Sequence, residues 1–277
     1  MALLQMQAAL ARVYLDSAAR EALRRGDRSL AGEFGLNPVE FDHLRRLVLD
    51  HADAVEIFAG TLSRKREERL SAFYPLLKSY LGAERWHALL GRYLELHAIP
   101  FPRASADAVA FGKSLHEGFA TEAGEGIASD LLIFESTKAE IADEPLSPRP
   151  SADVRFGGPK DVRPQLIPPA RLRRLRHSPG QLVDWVARGA RSPMDVAAQD
   201  VAVVFFRGQG NMSVCASEVS PWLGSILERA DGKTSLGHLL APLGVADDPA
   251  LIARLYEVMQ ELSRAGMIAL NPEGSGS

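Results

Sequence analysis

Cysteine is nearly absent from this chain. Cys215 stands alone among 277 residues, so no disulfide can close within the chain, and the usage fits a reducing cytoplasm. Long apolar runs are missing too: none approaches the ~20 residues that cross a bilayer as a helix. Charge of one sign is lacking, with 32 Lys and Arg against 35 Asp and Glu and a net −3. That balance gives no global pull toward nucleic acid or an anionic membrane. The start, Met1-Ala2-Leu3-Leu4-Gln5, has neither a basic segment nor a cleavage site, so no signal peptide is expected. What remains, 46% apolar and 24% charged residues, is the composition of an ordinary globular protein, long enough for two domains.

Catalytic and metal-binding patterns are also incomplete. Gly232-Lys233-Thr234 imitates the end of a phosphate-binding loop, but Leu227 holds the place of its first glycine. Gly208 and Gly210 have Ser213 where a dinucleotide-binding loop needs a third glycine. His116-Glu117 begins a zinc-protease pattern, and Ala120 replaces the second histidine. The seven histidines, at 43, 51, 87, 97, 116, 177 and 238, form no helical ligand pair with a carboxylate companion. Cys215 has no evident activating neighbour in sequence and reads as a small buried side chain. The expectation is a non-enzyme with no cofactor or metal of its own.

What the chain does contain is a patterned C-terminal stretch from Asp200 to Leu270. Val201 to Phe206 predicts a strand. Arg207-Gly208-Gln209-Gly210-Asn211 predicts a tight turn. Met212 to Ser217 predicts a second strand, with Met212, Val214 and Ala216 alternating against Ser213, Cys215 and Ser217. Three helices follow. Ser220-Pro221 opens the first, Thr234 is placed to cap the second, and Asp248-Pro249 opens the third. The third has a core stripe of Ile252, Leu255, Met259 and Leu262 and a second stripe of Leu251, Arg254 and Val258. Gly266 ends it, before a short strand from Met267 to Leu270.

The rest divides near residue 145. Residues 1–143 predict a helical bundle. Ala8 to Arg25 is amphipathic, Asn37-Pro38 is a cap, and Tyr74, Leu77, Leu81, Trp86, Leu89, Leu90, Tyr93 and Leu94 are expected to belong to the core. Residues 144–169 contain seven prolines, at 145, 148, 150, 159, 164, 168 and 169, and predict an extended linker. Residues 170–271 predict an α+β, winged-helix-like domain with a small antiparallel sheet and three helices, and 272–277 a flexible Gly-Ser tail. Ala170 to His177 is expected to add a strand ahead of the hairpin, and Gln181 to Arg188 a short helix. Two basic clusters, Arg64-Lys65-Arg66 and Arg171, Arg173, Arg174 and Arg176, could grip phosphates. A DNA-binding winged-helix regulator is therefore the rival function. Against it, Glu257 and Glu261 accompany Arg254 and Arg264 on the third helix, where phosphate would be met.

The runs Glu218-Val219-Ser220-Pro221-Trp222-Leu223, Ala230-Asp231-Gly232-Lys233-Thr234-Ser235-Leu236 and Leu262-Ser263-Arg264-Ala265-Gly266-Met267-Ile268 resemble the PqqD-like peptide-recognition element of ribosomal peptide natural-product pathways. In that family a precursor's leader adds as a strand to a sheet edge and packs on the third helix, which is β-augmentation. The resemblance implies peptide contacts at Met212, Val214 and Ala216 on the edge and at Leu251, Arg254, Leu255 and Val258 on the helix. It leaves Arg171, Arg173, Arg174 and Arg176 for peptide or partner contact. The stretches Leu62 to Gly82, Tyr93 to His97 and Ala128 to Glu135 are similar to the partner proteins of multinuclear non-haem iron oxidative enzymes. That resemblance implies a heterodimer in which the iron sits in the partner enzyme and this chain presents the precursor peptide.

Overall fold

A computed structural model describes residues 2–119, 126–146, 158–189, 198–207, 213–245 and 248–271. Its contacts divide the chain into two units, Met1–Ser114 and Leu115–Ser277. The architecture is α+β, with twelve α-helices and five strands among the described residues.

The first unit is helical. Its helices are α1 (Ala2–Leu15), α2 (Ser17–Arg25), α3 (Ser29–Phe34), α4 (Pro38–Asp50), α5 (Ala52–Phe73), α6 (Pro75–Leu96) and most of α7 (Ala104–Phe119). The continuous helix expected over Ala8–Arg25 is two helices. Asp16 ends the first and caps the second, accepting the Ala19 N–H at 3.1 Å. Asn37 and Glu40 form a capping box on α4. Gly82, at φ 76°, breaks α6 where an L side chain would be strained. One core joins Val13, Leu23, Phe41, Leu44 and Val48. Another stacks aromatics, with Phe111 lying 5.5 Å from both Tyr74 and Trp86 and 5.0 Å from Tyr93.

The second unit is built on a three-stranded antiparallel sheet, β2 (Arg171–Leu175), β3 (Val201–Arg207) and β4 (Val214–Val219), in the order β2-β3-β4. β3 is buried on both faces, and its alternate residues meet different helices. Phe205 stacks on Phe134 of α8 (Gly126–Asp143) at 5.5 Å. Val204 joins a core with Ile226 and Leu227 of α10 (Pro221–Glu228), Leu236, Leu239 and Leu240 of α11 (Leu236–Leu240), and Ile252, Leu255 and Met259 of α12 (Pro249–Arg264). α9 (Pro179–Ala187) packs beside α8.

α8 thus belongs to the sheet unit, although the sequence places residues up to 143 in the helical bundle. Its pattern explains the misplacement: α8 buries residues on nearly every side, from Ile127 to Ile141. Such a helix carries no stripe to say which neighbours it meets.

The expected linker is also partly built into this unit. Residues 147–157 lie outside the described residues, as does the tail 272–277. Pro159–Asp161 form a 3-10 turn, and β1 (Arg163–Leu166) pairs antiparallel with β5 (Ile268–Asn271). The Leu236 N–H donates to the Val162 carbonyl at 2.7 Å, and the Gly232 N–H to the Pro164 carbonyl at 2.9 Å. Proline at 164 is tolerated because β1 is a short strand at the margin of a two-stranded pair.

Candidate functional site: an open sheet edge

Among the described residues β4 pairs with a strand on one side only, β3. The register is continuous over six residues, from Ala202 opposite Val219 to Arg207 opposite Val214, with no bulge. Val214–Val219 contains no proline and no lysine. Proteins blunt free edges with such residues, because unpaired backbone groups recruit other strands. Among the described residues this edge carries a single charged side chain, Glu218, and has neither lysine, proline nor bulge. Four of its side chains are half-buried, and Ala216 and Glu218 are exposed.

The register fixes which way each residue faces. Val214, Ala216 and Glu218 lie opposite Arg207, Phe205 and Val203 and share the face that α8 covers. Cys215, Ser217 and Val219 lie opposite Phe206, Val204 and Ala202 and share the face of α10 and the three-helix core. The expected peptide positions Val214 and Ala216 are therefore on the edge strand. Met212 and the turn residues 208–211 lie outside the described residues.

The helical half of the expected groove is placed differently. α12 packs on β5 and on the Pro159–Asp161 turn, whereas β4 packs on β3 and α8. Leu255 is buried in the core. Arg254 is exposed, and Leu251 and Val258 are half-buried. These three remain an accessible stripe, on a helix whose core contacts lie under the opposite sheet face from Val214 and Ala216. Strand periodicity fixes such a face only when the neighbouring layers are known, and α8 was not among the layers the sequence assigned here.

The arginines of β2 are largely engaged. Arg171 bonds Glu144, and Arg173 bonds Glu140 at 2.9 Å, both just at or beyond the C-terminal end of α8. Arg207 donates to the carbonyls of Ile141 and Ala142 at 2.6 and 2.8 Å, satisfying the end of the same helix. Arg174 turns to the other face and bonds Glu228 of α10 at 2.8 Å. The hydrogen bond from Arg174 holds the Glu228 carboxyl below its usual range, and the same pair raises Arg174. Only Arg176 of the four is exposed. The cluster is thus mainly a set of clamps on α8 and α10.

Arg66 likewise is no phosphate grip. It is buried, pairs with both oxygens of Asp107 at 2.7 and 2.8 Å, and donates to the carbonyls of His97 and Ala98. The Tyr93 hydroxyl donates to Asp107 at 2.7 Å. Burial, and then that carboxylate, push the Tyr93 pKa well above the usual tyrosine value.

A buried pair that sequence reasoning missed holds the start of α8. Asp130 Oδ2 lies 2.7 Å from His177 Nδ1 and accepts the Arg176 N–H at 2.9 Å. Burial raises the Asp130 carboxyl, against the lowering effect of His177. The partners are 47 residues apart in sequence, so spacing could not join them. Among the described residues no three His, Cys, Asp or Glu side chains gather as metal ligands would, and no helix is long and apolar enough to cross a membrane. No protein-family model matches the chain, and no curated protein sequence gives a significant match.

Proposed function

We propose that this chain is a non-catalytic accessory protein of ribosomal peptide modification. It captures the leader of a precursor peptide as a fourth strand on β4 and presents the precursor to a multinuclear iron enzyme. The enzyme docks on the helical first unit and holds the iron. The observation that carries this reading is the edge of β4 that no described strand pairs, a continuous six-residue strand without lysine, proline or bulge. Main-chain hydrogen bonds to such an edge supply affinity with little demand on sequence. Tethering the precursor raises the effective concentration of its reactive end at a separate catalytic centre, so one enzyme can accept varied core peptides.

The DNA-regulator reading loses support because Arg171, Arg173 and Arg174 already bond carboxylates of the chain itself. Phosphate contacts require free cations.

The test is co-expression with a multinuclear iron enzyme and its precursor. The 3-thiaglutamate pathway is the first source to try, since the helical half resembles its partner protein. A heterodimer is expected, with iron in the enzyme and peptide bound to this chain. Val214→Pro removes a backbone donor from the edge strand and is expected to abolish peptide binding while leaving the enzyme complex intact by size-exclusion chromatography. Peptide bound with unchanged affinity by that variant would remove β4 as the site. A metal-free chain that ignores enzyme and peptide but shifts duplex DNA would put the regulator first.

A further inference from the structure

Glu218 is the only ionisable side chain on β4 apart from Cys215. It is exposed, and its carboxylate accepts a 2.8 Å hydrogen bond from the Ser178 hydroxyl at the start of α9. That bond orients the carboxylate without neutralising it. Across the sheet it lies in one row with Val203 of β3 and Arg173 of β2. Val203 offers no charge, and Arg173 is committed to Glu140 of α8. The charge therefore stands at the open edge without a cation among the described residues.

A strand added to β4 would set one residue directly beside Glu218, with Cβ atoms about 4.5–5.5 Å apart. The next residues on the same face would fall beside Ala216 and Val214. Ala216 is small and exposed and Val214 is half-buried, with Phe205 fully buried behind Ala216. Larger apolar side chains on the incoming strand would cover both.

A second copy of this chain fits the edge poorly. Paired antiparallel about its middle, β4 sets Glu218 against Val214, Cys215 or Ala216. Paired about its end, or in parallel register, it sets Glu218 against another Glu218. Val214–Val219 has no lysine or arginine to offer.

We infer that the strand accepted by β4 is a peptide carrying lysine or arginine beside Glu218 and apolar residues two and four positions away, and that Glu218 selects for that basic residue. The inference rests on the proposed capture of a peptide at β4, and it adds the charge and spacing of the peptide.

The test is selection of displayed random dodecapeptides on the full-length chain, in wild type, Glu218→Lys, Glu218→Gln and Val214→Pro, each checked for folding by circular dichroism. The wild type is expected to enrich a basic residue at a fixed two-residue spacing from apolar ones. Glu218→Lys is expected to enrich Asp or Glu there instead. It should weaken the wild-type peptides by about three- to thirtyfold, through lost attraction and added like-charge repulsion. Glu218→Gln should fall between. Peptides that depend on β4, being lost in Val214→Pro, but show no basic preference or the same preference in Glu218→Lys, would overturn the role of Glu218 and leave peptide capture standing. No enrichment on the wild type would overturn both. A wild-type dimer dispersed by Val214→Pro would give the edge to a second copy and overturn the inference.

Discussion

At the residue scale, buried polar groups set the sharpest constraints. Arg66 and Asp107 have side chains only 6% exposed; beyond their mutual pair, Arg66 donates to the His97 and Ala98 carbonyls and Asp107 accepts from the Tyr93 hydroxyl. Removing one leaves the other charged and dry. Asp107→Ala is expected to destabilise the first unit by ~3–5 kcal/mol, measured by urea unfolding, whereas replacing both residues with apolar side chains of similar volume should cost much less. Arg66 also marks a limit of reading by pattern. In sequence it sits within Arg64-Lys65-Arg66, a run that suggests a solvated or phosphate-binding face. Its burial follows from a partner 41 residues away, which a local charge run cannot disclose. The caps show the opposite case. Asn37, Ser220 and Asp248 act where their sequence context places them, because a cap depends only on the next three residues. The helix at Leu236 is capped by Ser235 rather than Thr234, whose N–H bonds Asp231 instead.

At the element scale, α10 approaches β3 unusually closely. A Cβ at Gly224 would lie 2.4 Å from the Ala202 Cβ, nearer than two carbons can pack. Gly224→Ala is expected to cost ~1–3 kcal/mol by forcing helix and strand apart, read as a lowered thermal midpoint. Gly237→Ala, where the nearest atoms lie at ordinary contact of 3.6 Å, should be neutral or stabilising and serves as the control. The hairpin strands, the three C-terminal helices and the extra strand at Arg171 were legible because each carries its own period and boundaries. Their mutual placement was not. Val201–Phe205 is buried throughout, so its sequence alternates no polar face that would reveal a second covering layer. The placement of Leu251, Arg254 and Val258 relative to Val214 and Ala216 depended on that missing layer.

At the scale of the whole molecule, the division lies before α8, at Ser114 and Leu115. Proline density suggested a boundary near residue 145 because prolines interrupt helices, but interrupting a helix does not end a unit. A fragment of residues 144–277 lacks α8 and exposes Val203 and Phe205, both fully buried in the intact chain. It is expected to aggregate, while residues 115–277 give a dispersed amide spectrum by NMR. The same topology changes what covalent continuity contributes. Glu144 is held by Arg171 on one side of residues 147–157, and Val162 is held by Leu236 on the other, all within one unit. A protease site introduced between Ser147 and Gly157 would therefore cut the backbone without parting the molecule. The two fragments are expected to co-elute as one particle in native buffer and to separate only in denaturant. The helix and the sheet it covers would then be a receptor and its ligand that happen to be encoded as one chain.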